Sequence, residues 1–386
     1  GAIQGFTEIM RKKNLSRVKI QLTSWVMGMF VFFSDYFSPL FVGSTMRSLS
    51  DKAKISRDKL AYIADSTSAP VSVLVPITGW AVYLSGLLVG MGPIINQEMA
   101  MSTFVKSSFF NFYAIGAVLM VGLIATKVIP DFGPMKKSEE RAINEGKVLR
   151  DGAEPLVGEE LTETQAYPGY KINVFLNFIA PVLIVISIAI GTYIVLGSAK
   201  TMEAFMAAVV FLGIVMRIKG IPFKDIMDTA VRGMKGVMPA IIILALSYSI
   251  NELSKEMGTA YYIIEITSGW MSAVVLPALT FIIAAVIAFS TGTSWGTFAI
   301  VMPIAVPLAF GFSGGEINML VLATISAVAG GGVFGDHCSP LSDTTILAST
   351  GAAADHLDHV KTQAPYALTV SALTIVLYLI VGFIGA

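Results

Sequence analysis

Charge is what this sequence has least of. Of its 386 residues 13% are Asp, Glu, Lys or Arg and 55% are hydrophobic, where soluble domains carry about a quarter charged residues. A single water-soluble domain cannot cover so much apolar surface with so few charges. Cysteine is scarcer: Cys338 stands alone, which excludes an internal disulfide and a cysteine-built zinc site. The net charge is zero, so there is no basic excess of the kind that draws a chain to nucleic acid. The first residue is Gly1 rather than Met, inside an amphipathic stretch that does not read as a signal peptide, and an upstream portion is expected.

Apolar length is what the chain has instead. Its mean hydropathy is +0.74. Several runs approach the ~20 residues that cross a hydrocarbon core ~30 Å thick. Segments 172–196 and 367–383 are the cleanest, and 109–129, 202–216 and 237–250 are further spans. The composition predicts an all-α, multi-pass membrane protein whose first partner is the lipid bilayer.

Lysine and arginine then set the topology, because cytoplasmic loops next to spans are rich in them. Arg11, Lys12, Lys13, Arg17 and Lys19 precede the apolar run 20–46, and Arg47, Lys52, Lys54, Arg57 and Lys59 follow it. A single crossing would put one cluster outside. The run is also cut at its middle by Ser34-Asp35-Tyr36-Phe37-Ser38-Pro39. Irregular backbone at membrane depth is tolerated only inside protein or along a cavity. Both facts predict a re-entrant helical hairpin that enters from the cytoplasm. A second interrupted pair spans 271–311 around the tip 290–297, and both its ends lack Lys and Arg, so it is expected to enter from outside.

Each hairpin precedes a span with its own polar break. The first, within 60–90, is Asp65-Ser66-Thr67-Ser68-Ala69-Pro70; the second, within 318–350, runs from Asp336 to Thr345. Hairpin plus broken helix, twice and from opposite sides, predicts an inverted repeat with its binding site between discontinuous helices at mid-membrane. The first repeat covers 1–128 and the second 172–386, with a last helix at about 367–385. Between them 129–171 is a charged cytoplasmic loop, and 222–235 reads as a separate interfacial helix.

The breaks offer chemistry. Asp65 and Asp343 lie in long apolar surroundings, where a carboxylate is costly and usually belongs to an ion or proton pathway. Carboxylate, hydroxyl and free carbonyl oxygens suit a hard cation such as Na⁺. Asp35, Asp65, Ser66, Thr67, Ser342, Asp343 and Thr344 are therefore the cation candidates. Hydroxyls on a kinked helix also serve simply to satisfy its backbone, and Asp35 is equally placed to cap the returning helix. Ser34, Ser38, Thr291, Gly292, Thr293, Ser294 and Thr345 are candidates for contacting a transported solute, the glycine because it lets backbone approach closely. Half-helix N-termini at the tips would favour an anionic group, so the tips alone do not choose between cation and anion. Asp336 and His337 are proton-relay candidates, with a structural hydrogen bond at the break as the competing role for His337. His356 and His359 have a spacing that suits a metal, but their place at a cytoplasmic helix end predicts a solvated pair.

The letters of these breaks resemble the NhaC-type Na⁺/H⁺ antiporter family. The matching stretches are Phe33-Ser34-Asp35-Tyr36-Phe37, Val42 to Arg47, Ser56 to Ile63, Asp65 to Val71, Thr291 to Thr297, and Gly335 to Leu347. The resemblance implies a bacterial inner-membrane secondary carrier, coupled to Na⁺ and needing no organic cofactor. It further implies a homodimer of elevator type, with a scaffold and a mobile domain holding both hairpins. Members commonly show Asp-Asp-Tyr-Phe-Asn at the first tip, where this chain has Ser34 and Ser38 at the flanking positions. Losing one carboxylate and one carboxamide weakens a pure cation-exchange site. Two readings stand: Na⁺/H⁺ exchange, and Na⁺-coupled transport of a small organic acid or amino acid. A channel would need a continuous polar lining, and a hydrolase a spaced nucleophile and base, and neither pattern is present.

Overall fold

The computed structural model describes residues 16–157, 173–196, 200–258 and 272–385, with Tyr167, Tyr170, Tyr262 and Glu265. Among the described residues all regular structure is helical apart from one isolated bridge between Pro155 and Asp355. The basic residues Arg11, Lys12 and Lys13 lie outside the described residues.

Helix α1 (Arg17–Phe30) starts where Ser16 accepts the Lys19 N–H, and α2 (Phe37–Lys52) follows after a six-residue break. The two form a hairpin whose open end is tied shut, since the Arg17 guanidinium at the start of α1 donates to the carbonyls of Ala53 (3.3 Å) and Lys54 at the end of α2. Arg17, from the basic residues before the first apolar run, thus lies beside Lys54, from those after it. At the tip it is Ser34, not Asp35, whose hydroxyl accepts the Phe37 N–H at 3.2 Å.

The chain continues as α3 (Arg57–Ser66), α4 (Ala69–Leu74) and α5 (Gly79–Leu88), with a 45° bend between α3–α4 and α5. A second bend, of 46°, separates α6 (Gln97–Ser107) from α7 (Phe112–Ala125); here a single return span was expected.

The charged segment after α7 is more ordered than a loop. Helix α8 (Gly133–Glu145) lies across the open end of the first hairpin. Its Glu139 accepts the Ser56 N–H at 2.8 Å and pairs with Arg17, while Asp131 just before it pairs with buried Lys59. Farther on, Arg150 bonds Asp355 (3.0 Å) and Asp358.

Helices α9 (Ala180–Leu196), α10 (Thr201–Ile218) and α11 (Phe223–Glu256) carry large apolar side chains outward, among them Val195 and Ile218, both 79% exposed. The interfacial helix and separate span expected over 222–250 are one 34-residue helix. Gly233, Gly236 and Pro239 fall where the polar half gives way to the apolar half, and the helix runs on through all three.

The second hairpin is α12 (Leu276–Thr291) and α13 (Ser294–Phe312), joined through Gly292 and Thr293. Both pack on α14 (Met319–Cys338), which is enclosed over nearly its whole length. Gly331 and Gly335 permit this, because a Cβ there would lie about 2.5 Å from backbone atoms of α12. Then come α15 (Asp343–Ala352) and α16 (His356–Gly385), a single helix that begins eleven residues before the expected start of the last span. Helix α15 packs on the first hairpin, where Gly43 and Gly351 bring the backbones together.

Four described helices are long and apolar enough to cross a membrane, or six if each bent pair counts as one span. With α14 enclosed and large apolar side chains of α9, α10, α11 and α16 turned outward, the chain is a polytopic α-helical membrane protein.

Candidate functional site

The two breaks arise from local sequence. Helix α3 stops at Ser66, where the Ser68 N–H and hydroxyl both turn back onto the Asp65 carbonyl, at 3.0 and 2.6 Å. Pro70 in the first turn of α4 needs no N–H partner. Helix α14 stops at Cys338 because Ser339, preceding Pro340, is held extended (φ −75°, ψ 134°). Ser339 donates its hydroxyl to the Phe289 carbonyl (2.8 Å), fastening the second break to the second hairpin.

The breaks meet each other. Ser66 Oγ lies 2.7 Å from His337 Nε2, and the Tyr113 hydroxyl lies 2.9 Å from His337 Nδ1. Gln363 of α16 makes the second link, donating its amide to Asp65 Oδ2 (2.8 Å) and to the His337 carbonyl. Asp336 accepts the hydroxyls of Ser342 and, at 3.3 Å, Ser294 from the second hairpin tip. Thr345 donates to the Asp336 carbonyl at 3.0 Å, and Ser342 and Thr344 lie 3.2 Å apart. Thr344 and Thr345 also stand beside Asp65.

Four carboxylates share this region. Asp336 lies within electrostatic reach of Asp343, Asp35 and Asp65. Asp35, Asp65 and Asp336 are buried and Asp343 is half-buried. Among the described residues no Lys or Arg is bonded to Asp35, Asp65 or Asp336. One oxygen each of Asp35 (Oδ2) and Asp65 (Oδ1) is enclosed without a hydrogen-bond partner. Trp80 stands beside Asp35. Enclosed carboxylates without a base are expensive unless protonated or bound to a cation. Their neighbours are mostly hydroxyls and carbonyls, which are ligands for hard cations and relays for protons.

Not every sequence candidate faces this centre. Thr67 and Thr291 spend their hydroxyls on carbonyls of their own helices, at 2.7 and 2.8 Å, as does Thr297. Thr293 supplies the carbonyl that accepts Thr297. Ser34 caps α2, and Ser38 reaches the Gly28 carbonyl at 3.4 Å. Gly292 closes the second tip with φ +71°, and a Cβ there would meet Leu341 backbone at 2.7 Å, so glycine is required twice over.

His356 and His359 correct the sequence reading. They are enclosed, not solvated: His359 is 0% and His356 8% exposed. Helix α16 begins earlier than its apolar run, and that first turn packs against α15 and the second break. Gln363, Tyr113 and Trp80 were not singled out from the sequence. Each is an ordinary residue in an apolar helix, and only its distance partner marks it.

With this geometry in place, comparison with known proteins is informative. The profile of the Na⁺/H⁺ antiporter family matches residues 80–383. The chain belongs to the Na⁺/H⁺ antiporter family. A protein of Haemophilus influenzae with no described function is 33% identical over 99% of this chain and 75% of its own length. The malate-2H⁺/Na⁺-lactate antiporter of Bacillus subtilis is 28% identical over 45% of this chain and 36% of its own length. A Haemophilus influenzae protein named as an uncharacterized Na⁺/H⁺ antiporter is 28% identical over 52% of this chain and 42% of its own length. For these last two antiporters the match spans less than half of the relative. Family membership makes the chain a secondary transporter of the membrane, not an enzyme, coupled to ion movement.

Proposed function

We propose that the chain exchanges Na⁺ for H⁺ at the meeting point of its two helix breaks, and that this point lies at mid-membrane. The observation that carries the reading is the enclosure of Asp35, Asp65 and Asp336 with two unpartnered oxygens and, among the described residues, no Lys or Arg bonded to them. Asp65, Asp35 and Asp343, with the hydroxyls of Ser66, Ser342 and Thr344, supply oxygens for a desolvated Na⁺. Asp336 and His337 hold protons within hydrogen-bond reach of the same breaks. An anionic organic acid is disfavoured there by like charge. The repeats 1–128 and 172–386 divide into a scaffold and a moving domain that holds both hairpins, in a homodimer of the bacterial inner membrane.

A second reading is Na⁺-coupled movement of a small organic solute, favoured by the hydroxyls at the first tip and by the malate/lactate name of one relative. Radioactive Na⁺ uptake into proteoliposomes tests both. The expected result is uptake driven by an imposed pH gradient, abolished in Asp65→Asn. Uptake that ignores the pH gradient but requires malate, lactate or an amino acid on the opposite side would overturn the first reading in favour of the second.

A further inference from the structure

Trp80 is 3% exposed, and its Nε1 makes no hydrogen bond of ordinary geometry. An indole N–H can only donate, and a buried one normally finds an acceptor. Trp25, by contrast, donates to the Val118 carbonyl at 2.9 Å. Beside Trp80 is the Asp35 carboxylate, whose Oδ2 is likewise enclosed and unmet. A donor and an acceptor, each short of a partner, thus stand side by side at the tip of the first hairpin.

The corner of α4 and α5 that carries the indole is fastened to both tips. Ser72 of α4 donates to the Phe32 carbonyl in the break of the first hairpin at 2.9 Å, and Thr78, which caps α5, donates to the Ser72 carbonyl at 2.9 Å. Farther along α5, Tyr83 donates to the Trp295 carbonyl at the second tip, at 3.1 Å. Trp80 itself packs on Trp295 and Phe298, with ring centroids 5.3 and 5.5 Å away. That packing fixes the indole, so a small turn of the Asp35 carboxylate is what joins the pair.

We propose that Trp80 is a positioning residue for ion binding: its indole N–H closes onto Asp35 Oδ2 when the cation binds and fixes the direction of that carboxylate. The role deepens the Na⁺ reading and rests on it, because Asp35 is a cation ligand only there. A hydrogen bond to an ionised acceptor is roughly twice as strong as one between neutral groups, and here it replaces two unmet buried atoms, each costly to leave so. Through the same ring, Asp35 of the first tip is braced against Trp295 of the second, so the ion-bound tips are held as one unit.

The chain has four tryptophans, so the purified full chain labelled with ¹⁵N-tryptophan gives four indole signals. The Trp80 signal is the one missing from Trp80→Phe. It should move downfield as Na⁺ is added, hold still as K⁺ is added, and lose its Na⁺ response in Asp35→Ala. Trp80→Phe keeps an aromatic ring on Trp295 and removes the N–H. In proteoliposomes it should raise the KM for Na⁺ about tenfold, the loss of one hydrogen bond to a charged group, with the effect on KM larger than that on the maximal rate. A ring that served packing alone would leave KM where it is. Saturable Na⁺ uptake by the parent with a static Trp80 signal, or with KM unchanged in Trp80→Phe, would overturn the role of Trp80 and leave the Na⁺ reading standing. No Na⁺ uptake by the parent would end both. Should Trp80→Phe fail to fold, the Trp80 signal is found by elimination with Trp25→Phe, Trp270→Phe and Trp295→Phe, and its response to Na⁺ decides.

Discussion

Gln363 satisfies three buried groups with one amide. Its nitrogen meets Asp65 and the His337 carbonyl, and its oxygen meets His359. Leaving a buried donor or acceptor unmet costs about 1–3 kcal/mol. Gln363→Ala should therefore destabilise the protein by about 3 kcal/mol, because the three losses are partly relieved by relaxation. It should also free Asp65 to rotate, so that any Na⁺-dependent rise in melting temperature shrinks. Thermal unfolding of parent and variant with and without Na⁺ measures both. An unchanged melting temperature would mean that the amide is not buried between the breaks. None of this was visible from position 363 itself, a glutamine near the start of a helix. Asp65 and Asp336 were visible, because a carboxylate in a long apolar run has few other uses. The partner that orients Asp65 comes from 298 residues away, and no local pattern encodes it.

At the scale of the element, the first hairpin tip carries the most informative change. Ser34 caps α2 through its hydroxyl, a task that Asp performs as well. Ser34→Asp with Ser38→Asn should then fold. A second carboxylate beside Asp35 makes it harder for both to be ionised at once, which supplies a proton to exchange. The double variant should show stronger dependence of Na⁺ uptake on an imposed pH gradient than the parent. Equal dependence in the two proteins would show that the tip does not carry the exchanged proton. The hairpins were legible as elements, since a polar interruption in an apolar run has few structural solutions. The extent of α11 and α16 was not, because a helix ends where its hydrogen bonds and packing end, and composition changes earlier.

At the scale of the molecule, the charged segment around α8 ties the first hairpin and α3 to the start of α16. Burial pushes the Asp355 carboxyl up, but the N–H groups of Glu154 and Asp358 and the Arg150 guanidinium outweigh it and hold the group below its usual range. A carboxylate with a depressed folded value stabilises the protein above its unfolded value, near 3.9, and that contribution is lost as pH falls through the folded value. Stability should thus decline below about pH 4, and Asp355→Asn should flatten that limb of the curve. Melting temperatures across acidic buffers test it, and an identical slope in the variant would remove Asp355 from this tie. The same arrangement sets sidedness. In a Cys338→Ser background, cysteines at Lys54 and Lys136 should react with an impermeant reagent from one face, and a cysteine at Ile95, 78% exposed, from the other. Labelling of Lys54 and Lys136 from opposite faces would end the hairpin reading.

By itself the sequence determined that this is an all-helical membrane protein with two interrupted hairpins and two broken helices. Apolar length, Lys and Arg placement and polar breaks are local quantities, and the bilayer demands that each be resolved locally. Only the tertiary structure decided that the two breaks touch, through Ser66–His337 and Gln363, and that two histidines expected in water are shut inside with Ser349. The physical reason is separation along the chain. A carboxylate's burial is announced by its neighbours in sequence, whereas its hydrogen-bond partners are fixed by helix packing between residues hundreds of positions apart.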